Sequence, residues 1–212
     1  MKKGRKTHKF HFLRVLAAHL GAPALAVILS PFPLDAQFLM RSVDLVYLAQ
    51  RADVIVQGRV TSVSHGSLSG YPNIPTVKVA LEVENMVRGP VGKTYTFREI
   101  YVGLRAKEGK QDYGVGQRLL LFLPVPSQYG LSSPIGMGQG RFYIARGAGG
   151  SETIVNEYGN AGLFKSVEQA AKTAGKKLTA SQSRMVRTQG GPVLLDEFVP
   201  LVRSFTTLPR IK

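Results

Sequence analysis

The chain has 212 residues, is 44% hydrophobic and 19% charged, and carries a net charge of +15. That length suits one domain with or without appendages, and it can bury roughly 70% of the unfolded surface, so no metal or disulfide is required to hold a fold. There is no cysteine, which excludes disulfides, thiolate metal sites and cysteine nucleophiles together.

Residues 1–36 read as an export signal. Lys2, Lys3, Arg5, Lys6, Lys9 and Arg14 form a basic head, and the apolar run "VLAAHLGAPALAVIL" follows. Pro31 and Pro33 break any helix, and small Ala36 suits the position before a cut, although Leu34 is larger than the usual residue two places earlier. The competing reading is a retained anchor, since Val15 to Leu34 is just long enough to span a bilayer. Cleavage would leave 22 basic and 12 acidic residues, a net +10, and only one histidine, His65. One histidine is too few for a zinc site, which wants three or four ligands.

"LMRSVDLVYLAQRA" (Leu39 to Ala52) has apolar residues at helical spacing and predicts a short amphipathic helix, with Ser42 as its cap. The period then changes to two. "RADVIVQGRVTSV" (Arg51 to Val63) predicts a strand with Gly58 on its apolar face. A glycine there marks a bulge or sharp bend, as a small closed barrel needs at a corner; the rival is a ligand close to the backbone. "TVKVALEVEN" alternates cleanly, "RGPVG" turns it, and "KTYTFREIYV" supplies the next strand. "RLLLFLPV" (Arg118 to Val125) is apolar on both faces and predicts a central strand covered on both sides. "GRFYIAR" and "SETIVNEY", joined by "GAGG", bring the count to about six strands before residue 160.

The tail changes character. Lys165 to Gly191 is basic and poor in large apolar residues, which predicts a surface helix followed by a mobile loop. In "VLLDEFVPLVRSF", Leu194, Phe198, Leu201, Val202 and Phe205 recur at helical spacing. A helix starting near Asp196 should place Pro200 in its first turn and pack over "LLLFL". The organisation is therefore a signal peptide (1–36), an OB-like β-barrel domain (37–160), a polar, partly mobile segment (161–192) and a C-terminal helix and tail (193–212). The fold class is mainly β: a small Greek-key OB-like barrel, with a short N-terminal helix and a C-terminal helix packed beside it.

"ADVIVQGRVTSV", "ENMVRG", "VGQRLLLFLPV" and "GQGRFYIA" together resemble the netrin-like, tissue-inhibitor-of-metalloproteinase-like branch of the OB-fold proteins, over roughly residues 50–146. The chain also looks similar to exported bacterial proteins with the same strand pattern. The resemblance implies a five-stranded Greek-key barrel with helices beside it. Animal members carry disulfides, and some use an N-terminal cysteine to inhibit proteases; a chain without cysteine can do neither, so no functional residue carries over.

"VRGPVGKT" lacks the first glycine of a phosphate loop and precedes a strand, so it reads as a turn. "GMGQG" is likewise followed by a strand, not by the helix a dinucleotide site requires. Asp196 and Glu197 suit a helix start, and a carboxylate hydrolase would need two such groups facing across a cleft. The basic excess has more functional weight. Arg98, Arg105, Lys107, Lys110, Arg118, Arg141 and Arg146 interleave with Tyr95, Phe97, Tyr101, Tyr113 and Tyr143. On an OB-like barrel, Arg98, Tyr101, Arg118, Arg141 and Tyr143 are the candidate ligand-binding residues, because such a face can combine positive charge with aromatic stacking. The bland alternative is a solvated basic surface that aids solubility.

These observations predict a non-enzymatic exported binding module, periplasmic or secreted, of unknown ligand and without cofactor or metal. The alternatives are a binder of anionic envelope polysaccharide or lipid through the barrel face, and a small carboxylate-dependent hydrolase. Partners left open are another envelope protein or an anionic polysaccharide or lipid; export argues against nucleic acid.

Overall fold

The structure, a computed structural model, describes residues 43–101, 113–147 and 149–208. The expected signal or anchor in residues 1–36, the proposed cap Ser42, and Arg105, Lys107 and Lys110 lie outside the described residues. All the described residues belong to one compact unit, Met40–Lys212. Among them no helix is long and apolar enough to cross a membrane.

Helix α1 (Leu45–Arg51) is capped by Asp44, whose carboxylate accepts the Tyr47 backbone N–H at 3.0 Å. Leu45, Leu48 and Ala49 turn inward from it and are fully buried. Strand β1 (Val54–Leu68) follows at once and turns through Ser69–Gly70 into β2 (Tyr71–Arg88); Gly70 has φ +78°, a value glycine adopts without a Cβ penalty. The two form a ribbon longer than the sequence pattern suggests. Its far half, Ser64–Pro75, is polar and largely exposed, so it shows no clean alternation of apolar residues. Strands β3 (Thr94–Ile100), β4 (Arg118–Leu123), β5 (Arg141–Arg146) and β6 (Glu152–Asn156) complete the six expected from sequence.

The tail departs from expectation. Its first half forms α2 (Val167–Thr173), and its second half, read from composition as a loop, forms α3 (Ala180–Val186). Thr179 and Gln182 make a reciprocal capping box at the start of α3, which offsets the weak apolar content of that stretch. A two-residue strand, β7 (Val193–Leu194), pairs with β6 and runs directly into α4 (Leu195–Thr206). Because α4 starts at Leu195, Pro200 is its sixth residue and lies beyond the first turn. The helix therefore forgoes the hydrogen bond to the Asp196 carbonyl.

All pairings are antiparallel, and the sheet order is β3-β2-β1-β4-β5-β6-β7. β4 is the middle strand, as its two apolar faces require. Leu120 and Phe122 point into a first core under α1, α2, α3 and α4. Leu119, Leu121 and Leu123 point into a second core on the opposite face. α4 joins the first core through a ladder of rings, with Phe198 5.2 Å from Phe142 and Phe142 5.5 Å from Phe122. The segments 161–192 and 193–208 thus share a core with the strands.

The expected barrel is not closed. Among the described residues, β3 and β7 end the sheet and do not pair with each other. The second core nevertheless joins Phe97 of β3 to Leu119 and Leu121 of β4, three strands away. The sheet therefore curls over that face. What meets β3 is the loop between β4 and β5, whose Ser132 N–H donates to the Arg98 carbonyl at 2.7 Å. One bond from a loop takes the place of a closing ladder.

Gly58 makes this curl possible. It pairs with Val83 of β2 on one side and Leu119 of β4 on the other, next to a register shift in the β1–β2 ladder. A Cβ at position 58 would overlap the Glu82 carbonyl oxygen and lie 3.3 Å from Leu81 Cβ. The close neighbour is the protein's own backbone, and the residue serves the bend.

Candidate functional site

The five residues singled out by charge and aromaticity do not form one surface. Arg118 opens β4 with the same parity as Leu120 and Phe122, so it lies on the helix-covered face. Its Nε donates to both Glu84 carboxylate oxygens at 2.8 and 3.0 Å, and a terminal nitrogen reaches Glu84 Oε2 at 2.7 Å. The guanidinium also pairs with Glu152 of β6. Gln57 donates to Glu84 at 3.1 Å, Arg59 lies 3.8 Å from Glu84, and Arg146 lies 3.9 Å from Glu152. The result is a row of alternating charge drawn from five strands.

This row fixes the protonation of its members. The Arg118 hydrogen bonds hold Glu84 below the usual carboxylate range against the opposing effect of burial, and they hold Glu152 low in the same way. The two carboxylates raise Arg118 in turn. A general acid needs a raised pKa near the working pH; Glu84 and Glu152 are displaced the other way.

Arg141 and Tyr143 lie on the opposite face, in register with Leu121 and Leu119. Arg141 is buried, and its guanidinium pairs with Glu157 at 3.2 Å. It sits 4.9 Å from the Tyr113 ring centroid and 6.0 Å from that of Tyr143, within cation–π range. Tyr113 meets Phe97 edge-on at 5.6 Å, which ties this group to β3. Burial, then the nearby Glu99, pushes the Tyr113 phenol well above its usual range. Burial works against the charge on Arg141, but Tyr113, Tyr143 and Glu99 outweigh it and raise its pKa. This cluster links β5 to β3 across the second core.

Tyr101 is half-buried beside the second core and meets His65 edge-on at 4.7 Å. Arg98 is on the outer face of β3, opposite Lys78. Arg98 and Arg118 are five residues apart along β1, through Ser64 and Arg59, about 16 Å at the rise of a strand. The structure brings Arg141 and Tyr143 together and leaves Arg98, Tyr101 and Arg118 in separate surroundings.

Sequence reasoning missed the partners Glu84, Glu152 and Glu157, because pairing across strands needs the register. One local signal existed. Gly138, in "GMGQG", has φ +95°, and a Cβ there would run into the Glu157 carboxylate. That loop admits the partner of Arg141, and it leads into β5 as read from sequence. Asp196 and Glu197 fall in the first turn of α4, where its dipole favours them. Among the described residues no group of three or more His, Asp or Glu could hold a metal ion.

A further group of surface cations lies outside the sheet. Lys165, Lys172, Lys176, Lys177 and Arg184, on and around α2 and α3, make no ion pair among the described residues; Arg187 pairs with Glu168 at 3.2 Å. Compared with known protein families, curated proteins and solved structures, the chain has no match.

Proposed function

We propose that the chain is an exported, non-enzymatic binding module. One observation carries this reading: the sheet arginines Arg118 and Arg141 are spent on carboxylates, Arg118 between Glu84 and Glu152 and Arg141 on Glu157. They build a scaffold, while the cations of the α2–α3 region remain available to a partner. The partner is an envelope component, another protein or an anionic polymer or lipid. The likeness to netrin-like domains belongs to the same proposal and is supported by a first strand that bends at Gly58 between two pairing partners.

Export rests on the basic head, the apolar run and Ala36. N-terminal sequencing of protein from the producing cell should begin close to Gln37; an intact Met1 in the membrane fraction favours the anchor. For the function, purified protein is offered ester, glycosidic, phosphate and peptide substrates. No turnover is expected. Turnover abolished by Glu84→Gln or Glu152→Gln would overturn the proposal.

A further inference from the structure

Between the start of α2 and the end of α3 runs an open groove of about 420 Å³, lined among others by Phe164, Lys165, Glu168, Val186, Arg187 and Gln189. Phe164 and Val186 form a floor that is almost wholly buried. Lys165 and Arg187 stand at the rim, and Arg187 pairs there with Glu168. Lys172 follows Glu168 by one turn, and Arg184 precedes Arg187 by one turn. From residue 165 to residue 187 there are six basic residues and one acidic residue. These cations are distributed along the chain through α2, the segment after it and α3. They suit charges strung along a chain better than one compact anion.

Two further observations narrow the occupant. None of the large apolar side chains exposed among the described residues falls between 159 and 193, so this surface has nothing to insert into a bilayer. Phe164 is the only aromatic residue in that stretch, and it is buried, so no ring is offered for base stacking. Resting on the binding-module reading and refining it, we propose that the α2–α3 groove binds a linear acidic polysaccharide. Lys165 at the rim, with Lys172 and Arg184 on the flanking helices, meets its anionic groups, and Gln189 and Thr188 offer hydrogen bonds to its hydroxyls.

The test titrates polygalacturonate oligomers into the full chain at low salt. The triple variant Lys165→Gln/Lys172→Gln/Arg184→Gln removes three exposed cations. The control Arg51→Gln/Lys78→Gln/Lys93→Gln removes the same charge elsewhere. The groove variant should lose affinity by about tenfold or more, the control by about twofold or less, with thermal midpoints unchanged in both. Binding should weaken as salt rises. Equal losses in the two variants, absence of binding, or tighter binding to anionic vesicles or single-stranded DNA would overturn the proposal. Failure here leaves the non-enzymatic reading standing, whereas substrate turnover ends that reading without touching this titration.

Discussion

Three places in the sheet show how local chemistry sets the limits of this fold. Gly58 occupies a place where any Cβ meets β2 backbone, which cannot rotate away. Gly58→Ala should cost about 1–3 kcal/mol, the usual range for overpacking, read as a lower denaturant midpoint; an unchanged midpoint would mean that the bend is not where β1 and β2 place it. Arg141 and Glu157 are a buried pair, each side chain more than nine-tenths hidden. Arg141→Met removes the guanidinium that faces Glu157 and should cost about 3–5 kcal/mol, and adding Glu157→Gln should restore part of it. Arg118 links stability to pH. Glu84 and Glu152 have lower pKa values folded than unfolded, so the unfolded chain binds more protons over the intervening range. Their contribution is full above the unfolded carboxylate range and is lost as pH falls through the folded values. Replacing both with glutamine should flatten the fall of the melting temperature between about pH 5 and about pH 3.

Among elements, the strands were legible wherever one or both faces are buried, because burial writes the apolar period into the chain. "TVKVALEVEN" and "RLLLFL" fall within β2 and β4 for that reason. The outer half of the β1–β2 ribbon and the two-residue β7 bury too little to leave a period. α3 was hidden differently: seven residues with only Gln182, Met185 and Val186 buried are held by a capping box and by α4, neither of which shows in composition. Arg88, at the end of β2, gathers α1 and α4. Its guanidinium donates to the Ala49 and Ala52 carbonyls at 2.9 and 2.8 Å and to that of Thr206 near the end of α4. A cation is favoured at helix C-termini, and these carbonyls have no helical donor of their own. Arg88→Ala should cost about 1.5–3 kcal/mol, measured by denaturation; a smaller loss would mean that water replaces the guanidinium.

Across the whole molecule, one curled sheet carries two cores, and the division of charge follows from that arrangement. Arg118 and Arg141 lie close to carboxylates and are neutralised there, whereas the helices outside the sheet keep their lysines open. Basic residues interleaved with aromatics were visible in the sequence; which face each took, and which acid it met, depended on register shifts near Gly58 that composition does not encode. Barrel closure was unreadable for a related reason, since a loop and not a strand meets β3. The claim from which the rest descends is that β4 and the first half of β1 are covered on both faces. Native-state amide hydrogen exchange tests it most directly. Ile55–Gly58 and Leu119–Phe122 should be the slowest amides in the protein, with Ser64–Pro75 exchanging orders of magnitude faster. Equal protection along the whole of β1 and β2, or fast exchange through Leu119–Phe122, would contradict the two-core arrangement.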